Sequence, residues 1–137
     1  MSVEFVDTNI LVYAHDGAAG AKHDRSVELL RRLLEEGSGA LSIQVLAEFY
    51  VTATKKLGMS SQEAEEVLLD LGGWIIHRPT HADLLRAVRL HRRHGVSWWD
   101  ALILNSAAEL GCRVLWTEDI SDGQRYGSVT ARNPFRA

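Results

Sequence analysis

Short apolar runs alternate with longer amphipathic segments along this chain, and that alternation limits its fold more than any other feature. Strand-length apolar runs occupy residues 3–7, 40–42, 74–77, 113–117 and 128–131. Helical periodicity occupies residues 9–13, 22–36, 43–57, 60–71, 80–94 and 97–110. Strands that alternate with helices predict an α/β fold in which a mostly parallel sheet is covered on both faces, as a three-layer α/β/α sandwich.

Local signals support the predicted helices. Ser60 and Glu63 have the spacing of a capping box, while Thr80 and Ser97 are residues typical of N-caps. Gly37 and Gly39 end the second helix. The apolar face predicted for that helix consists of Val27, Leu30 and Leu34.

The helix predicted at 43–57 carries a separate polar line. Gln44, Glu48 and Thr52 recur every four residues, away from an apolar arc that includes Val45 and Phe49. Glu48 is therefore expected to lie off the core face and to look into a cleft.

Length and composition favour an ordinary globular protein. A chain of 137 residues predicts one domain over residues 1–137, and 46% of the residues are hydrophobic. No apolar run approaches the ~20 residues that cross a bilayer, and no cleavable signal pattern opens the chain, so we expect a cytoplasmic protein. Cys112 is the only cysteine, which excludes an internal disulfide and favours a small buried side chain.

Four acidic residues, far apart in the chain, are each expected to lie where a strand ends or a helix begins. They are Asp7, Glu48, Asp100 and Asp119. The carboxyl ends of parallel strands meet in one crevice, which is where open α/β sheets bind ligands. Four carboxylates gathered there would repel one another unless a cation lay among them. The pattern predicts a magnesium or manganese site, and hence phosphate chemistry.

Each acid also has a purely structural explanation. Asp7 is a favoured N-cap for the following segment, and Glu48 is compatible with a solvated helix face. Asp100 lies three residues after Ser97, where it would complete a capping-box-like arrangement and favour the helix N-terminus. Asp119 is compatible with a solvated loop.

Positive charge for a polyanion must be local, because the net charge is −3. The densest basic run comprises Arg86, Arg89, His91, Arg92, Arg93 and His94. A solvated helix face is the competing explanation of this run. Lys55 and Lys56 offer a second candidate, and Trp98 and Trp99 suit a wall or core position better than a base-stacking one. The remaining histidines have no spacing that predicts a zinc site.

Four sequence blocks resemble the motifs of PIN-domain nucleases, in the expected order. The blocks are Val-Asp-Thr-Asn at 6–9, Gln-Val-Leu-Ala-Glu-Phe at 44–49, Ser-Trp-Trp-Asp-Ala-Leu-Ile at 97–103 and Thr-Glu-Asp at 117–119. The closest resemblance is to the VapC-type toxins of bacterial toxin–antitoxin pairs, and residues 122–135 are similar to one branch of them. The resemblance covers essentially the whole chain.

The resemblance implies a Mg²⁺-dependent endoribonuclease that hydrolyses RNA phosphodiester bonds, with Mn²⁺ as a substitute ion. It assigns catalytic and metal-binding roles to the four acids and supporting roles to Thr8, Asn9 and Thr117. Asp7 and Asp100 are expected to be the direct ligands, whereas Glu48 and Asp119 would act through water or on a second ion.

The last motif departs from the family pattern. Many members have Thr-x-Asp-x-Asp-Phe, but here Ser121 and Asp122 follow Asp119. The choice between Glu118, Asp119 and Asp122 therefore stays open, with Asp119 favoured.

The resemblance also implies partners. Such toxins commonly form homodimers and bind a small antitoxin that inserts a basic side chain near the acids, where an arginine can pair with carboxylates. Apolar surface near Tyr50, Leu57 and Leu68 is the expected contact region.

Two other functions compete with the nuclease. A metal-dependent phosphatase of the aspartyl-phosphate type would carry an acid two positions after its nucleophile, where this chain has Asn9. A catalytically silent module would bind metal or a basic partner without turnover.

Overall fold

The computed structural model describes residues 2–136 and contains six strands and six α-helices. The strands are β1 (Glu4–Val6), β2 (Gly39–Ser42), β3 (Ile75–His77), β4 (Val114–Trp116), β5 (Arg125–Tyr126) and β6 (Val129–Arg132). The helices are α1 (Thr8–Ala14), α2 (Ala21–Glu36), α3 (Ile43–Lys55), α4 (Ser61–Leu71), α5 (His81–His94) and α6 (Trp98–Glu109), with a 3₁₀ turn at Gly17–Ala19.

The strands form one sheet in the order β3-β2-β1-β4-β6-β5. All neighbouring pairs are parallel except β5 and β6, which are antiparallel. Helices cover both faces, which confirms the predicted α/β/α sandwich. The central strands β1 and β2 are almost fully buried, as expected for a parallel sheet with two covered faces.

The predicted helix caps are confirmed, except that Gly39 begins β2 and does not help to end α2. Ser60 and Glu63 form a reciprocal capping box, and Thr80 and Asp83 form a second one. Gly37 ends α2 with a positive φ of 65°, a conformation that glycine adopts without steric cost.

The predicted apolar face of α2 was wrong at Leu34, whereas Val27 and Leu30 are half-buried and Leu30 packs against the core. Leu29 and Leu33 are buried in the core, whereas Leu34 is 64% exposed. The buried side of α2 is therefore shifted by one residue from the predicted one. A run of adjacent leucines fits either face, and the packing of α2 against α1 and β2 decides between them.

The sheet places the acidic residues by its topology. β1 and β4 are neighbours, with Val6 opposite Trp116, so the residues that follow these two strands emerge side by side. Asp7 follows β1, and residues 117–119 follow β4. Within residues 2–136, no helix combines the length and the apolar character that a bilayer crossing requires.

Candidate metal centre

Asp7 serves both as a helix cap and as the buried floor of a polar site. It is the N-cap of α1, and its Oδ1 accepts a hydrogen bond from the Thr8 N–H at 2.6 Å. Its Oδ2 accepts one from the Thr117 hydroxyl at 2.7 Å. Only 3% of Asp7 is exposed. The capping explanation from the sequence is thus correct, yet it leaves a nearly inaccessible carboxylate at the carboxyl end of the central strand β1.

Asp100 and Asp119 approach Asp7 from two other elements. One carboxylate oxygen from each of the three residues lies within 4.8 Å of the others. Asp100 occupies the first turn of α6, where its N–H donates to the Ser97 hydroxyl at 3.1 Å. Helix capping therefore fixes the backbone from which Asp100 reaches the group.

Polar neighbours hold Asp119 in place. The Asn9 side-chain amide donates to Asp119 Oδ2 at 2.9 Å, and the Asp119 N–H donates to the Thr117 hydroxyl at 3.1 Å. Thr117 thus contacts both Asp7 and Asp119. Thr8, Asn9 and Thr117 were predicted as supporting residues, and each donates a hydrogen bond to one of the acids.

Glu48 lines the same cleft but lies outside the group of three. The Thr8 hydroxyl donates to its Oε1 at 2.8 Å, and the Gln44 amide approaches the same oxygen at 3.5 Å. We call the space lined by Asp7, Glu48, Asp100 and Asp119 the acidic cleft; its volume is about 360 Å³.

Burial and mutual repulsion oppose ionisation in the cleft. Burial raises the pKa of Asp7 to about 7, and the charges of Asp119 and Asp100 act in the same direction, against the hydrogen bonds from Thr117 and Thr8. Burial also raises the pKa of Asp119, with repulsion from Asp100 and Glu118 adding to it. The isolated site is therefore short of positive charge.

The two acids that competed with Asp119 have other partners. Glu118 accepts hydrogen bonds from the Tyr13 hydroxyl and from Lys22 Nζ, the latter at 2.8 Å. Burial opposes ionisation of Glu118, but Lys22 and Tyr13 outweigh it and lower its pKa. Asp122 accepts from the Asn133 N–H at 2.8 Å.

The donor set suits a hard divalent cation. Three carboxylates supply the oxygen ligands that Mg²⁺ and Mn²⁺ prefer. The buried Oδ1 of Asn9 has no hydrogen-bond partner among residues 2–136, which leaves one more oxygen acceptor beside the acids. The residues present therefore fit a Mg²⁺-type ion.

The cleft also contains residues that sequence reasoning gave lower weight. Tyr13, Thr52, Lys56 and Trp99 share its lining. The sequence does indicate a place for Lys56 in the cleft, because this residue continues the polar line of Gln44, Glu48 and Thr52 at four-residue spacing. Lys55, the alternative in the same pair, is not part of the lining.

The predicted basic run lies elsewhere. Arg86 pairs with Asp83 at 2.9 Å and with Glu109 at 2.8 Å, and Arg86, Arg89 and Arg93 border a separate groove between α5 and α6. This run is therefore a helix face that does not line the acidic cleft.

The apolar contact region expected from the sequence is only partly accessible. Tyr50, Leu57 and Leu68 are each half-buried. The Tyr50 hydroxyl also donates to the Ser61 hydroxyl at 2.9 Å, so part of this side chain joins α3 to α4.

Cys112 is buried, as predicted. Burial raises the pKa of its thiol to about 12, with the nearby charge of Glu4 acting in the same direction. A thiol in that state is a poor nucleophile.

A family model for the PIN domain matches residues 5–121. The chain belongs to the PIN-domain family. That span includes all four acids and the three supporting polar residues. No curated protein sequence matches the chain.

Solved structures with the same fold come from toxin–antitoxin systems. A toxin–antitoxin complex from Klebsiella pneumoniae is 22% identical with a TM-score of 0.71, over 99% of this chain and 100% of that one. VapC20 of Mycobacterium tuberculosis, a toxin that cleaves the sarcin-ricin loop, is 19% identical with a TM-score of 0.64, over 82% and 86%. VapBC2 of Rickettsia felis, bound to a promoter DNA fragment, is 22% identical with a TM-score of 0.68, over 96% and 98%. At these identities the likeness establishes the fold.

Proposed function

We propose that this protein is a Mg²⁺-dependent endoribonuclease, with Mn²⁺ as a substitute ion, and the toxin component of a type II toxin–antitoxin system. The observation that supports this most is the convergence of Asp7, Asp100 and Asp119 within 4.8 Å of one another in an open cleft. Membership in the PIN-domain family points to the same chemistry.

The three grouped carboxylates are the proposed metal ligands. Thr117 orients Asp7 and Asn9 orients Asp119 through the hydrogen bonds described above. When bound, a divalent cation supplies Lewis-acid chemistry that lowers the pKa of water and offsets charge that develops on a phosphate. No serine, cysteine or lysine nucleophile is required for such hydrolysis.

Glu48 has a different proposed role. Thr8 occupies one of its carboxylate oxygens, which leaves the other as an acceptor at the cleft. From that position Glu48 would orient the attacking water or hold a second ion. It is the member of the four whose loss should leave the most residual metal binding.

The proposed substrate is RNA in a single-stranded or loop region, because splayed nucleotides expose their backbone to a cleft. The RNA-cleaving activity named for VapC20 supports this choice. The proposed location of the protein is the cytoplasm, where such RNA is present.

The proposed partners are a small antitoxin and a second copy of the chain. Structures of the same fold include toxin–antitoxin complexes, and a guanidinium from an antitoxin would pair with the grouped carboxylates. Leu84, Leu85 and Val88 on α5 are exposed and give an apolar surface suited to a protein contact.

We further propose that residues 1–137 form a single PIN-like domain, which extends beyond the residues matched by the family model. β6 lies after residue 121 but pairs in parallel with β4, which leads into the metal centre. Residues 122–132 would then belong to the same folding unit as the acids.

The test is a cleavage assay with the purified chain, freed of antitoxin, on end-labelled RNA that contains loops. We expect cleavage with Mg²⁺, none with EDTA, and a loss of more than about 100-fold in Asp100→Asn, because a metal ligand is removed. Asp70→Asn changes an exposed aspartate on α4 and serves as the matched control.

Other outcomes would identify the alternatives. Phosphate release from a monoester without chain scission would indicate a phosphatase. Metal binding and RNA binding without turnover would indicate a silent module. Cleavage that is as fast in Asp100→Asn as in the wild type would not depend on the proposed metal site and would refute the assignment.

A further inference from the structure

The acidic cleft carries too much negative charge to bind RNA without added positive charge. Four carboxylates line it, and an approaching RNA backbone is also negative. A divalent ion contributes two positive charges, whereas the three grouped aspartates carry three negative charges when all are ionised. A phosphate beside the scissile one therefore needs a cation supplied by the protein.

Lys56 is suited to supply that cation. Within residues 2–136 it is the one basic side chain in the cleft lining, and it takes part in no salt bridge there. By contrast, Lys22 is committed to Glu118, and Arg86 to Asp83 and Glu109.

The backbone position of Lys56 connects it with the acids. It is the C-cap of α3, the helix that carries Glu48 two turns earlier on the same line. The helix dipole favours a cation at a helix C-terminus. The positive charge of Lys56 at this position therefore does not destabilise the helix.

Trp99 is the second unusual feature of the cleft. It is 59% exposed, although a tryptophan normally buries most of its large apolar ring. Trp99 lines the cleft next to Asp100, in the first turn of a helix capped by Ser97. The Gln44 amide also approaches its carbonyl oxygen at 3.5 Å.

Trp99 therefore offers an exposed ring, on the first turn of a capped helix, to the cleft in which phosphate chemistry is proposed. An exposed aromatic ring and a cation that line the same cleft are the combination that binds single-stranded nucleic acids, because every base can stack on the ring. A base held in a duplex is already stacked on its neighbours and cannot use the same face.

We propose that Trp99 and Lys56 form a nucleotide subsite of the acidic cleft. Trp99 stacks on an unpaired RNA base, and Lys56 contacts a phosphate next to the scissile one. This inference rests on the proposed nuclease function and narrows its substrate to RNA with at least one unstacked nucleotide at the cut site.

Binding is measured first, without turnover. Fluorescein-labelled decauridylate is titrated with the chain in EDTA and followed by fluorescence anisotropy. We expect Trp99→Ala to weaken binding about tenfold and Trp99→Phe to restore most of it. Lys56→Ala should weaken binding and reduce the slope of log Kd against log salt by about 0.7, whereas Lys55→Ala, its exposed neighbour outside the cleft, should match the wild type.

Two further RNA ligands distinguish base stacking on Trp99 from nonspecific RNA binding. A decamer with an abasic site in its centre should bind the wild type less tightly than decauridylate, and the difference should shrink in Trp99→Ala. A blunt RNA duplex of the same length should be insensitive to Trp99→Ala. Circular dichroism of each variant checks that it is folded.

Cleavage distinguishes failure of this inference from failure of the proposed function. If the wild type cleaves RNA with Mg²⁺ and both Trp99→Ala and Lys56→Ala cleave equally well, the subsite is refuted and the nuclease stands. If the wild type cleaves nothing, the proposed function fails. If Trp99→Ala leaves decauridylate affinity intact, the ring does not bind the base and the inference is overturned.

Discussion

A buried carboxylate outside the acidic cleft gives the sharpest stability prediction. Asp83 on α5 is 3% exposed and is surrounded by donors. Its Oδ1 accepts from the Asn105 amide at 3.0 Å and from Arg86 at 2.9 Å, and its Oδ2 accepts from the Thr80 N–H at 2.7 Å. The bond to Asn105 ties α5 to α6, the helix that presents Asp100. We consider the change Asp83→Asn.

The size of the effect follows from which partners are buried. An amide at position 83 turns one acceptor oxygen into a donor that faces other donors. Loss of a hydrogen bond to a buried charged group costs about 1.5–3 kcal/mol, and Asn105 is buried. The Arg86 side chain is 42% exposed, so its pair adds about 0–1 kcal/mol. We expect a total of about 3 kcal/mol, which lowers Tm by roughly 10 °C in a chain of this length.

The effect should depend on pH. The Asn105 amide and the Thr80 N–H hold the pKa of Asp83 well below its ordinary value of 3.8. Because the folded pKa is the lower one, the stabilisation is complete above the unfolded value and is lost as pH falls below about 4 toward the folded value. The amide introduced by Asp83→Asn cannot titrate, so the difference between wild type and variant should narrow in acid.

Thermal unfolding followed by circular dichroism at several pH values between 3 and 7 measures this difference. Asp70→Asn, an exposed aspartate on α4, is the control and should stay within about 0.5 kcal/mol of the wild type. A gap below about 1 kcal/mol at pH 7, or one that is the same at pH 3 and pH 7, would refute the reasoning.

Three further predictions concern the site and the sheet. Asp119→Asn should weaken Mg²⁺ binding by more than about tenfold in isothermal titration calorimetry, whereas Glu118→Gln should bind nearly as the wild type; the reverse ranking would make Glu118 the ligand. Thr117→Val should weaken Mg²⁺ binding about 10–100-fold, because it removes the hydroxyl that orients the buried aspartate, and Thr117→Ser should restore it. Unchanged affinity in Thr117→Val would contradict that role. Gly39→Ala would place a methyl group 2.2 Å from a ring carbon of Trp74, so we expect a loss of about 1–3 kcal/mol in thermal unfolding. A wild-type Tm would show that the ring moves aside freely.

The fold was largely predictable because most elements carry a local signal. The caps at Ser60, Thr80 and Ser97 mark three helix starts in the sequence itself, and each was found where predicted. The antiparallel strand β5 was missed. It has only two residues, and it exists because Tyr126 pairs with Val129 across a tight turn at the sheet edge. No periodicity can be read from a segment that short.

The convergence of three of the acids was predictable because they lie at strand ends or at a helix start. Their convergence follows from parallel topology, which brings Asp7 and the residues after β4 together. The hydrogen-bond partners of Glu118 could not be predicted from the sequence. It is held by Tyr13 and Lys22, which lie 105 and 96 residues away in the chain, so only the tertiary structure removes it from the cluster.

A cation bound to the grouped carboxylates would stabilise the folded chain. Burial, with two neighbouring charges, holds the pKa of Asp7 at about 7, above its ordinary value of 3.8. The folded state therefore loses stability as pH rises through this interval, since ionised Asp7 is disfavoured more in the folded than in the unfolded chain. A cation that binds only the folded chain recovers that loss by mass action. A divalent ion and an arginine from a partner would neutralise the same oxygens, which lie within 4.8 Å of one another, so we expect them to exclude each other. An antitoxin that blocks the proposed reaction in this way would at the same time stabilise the protein that it inhibits.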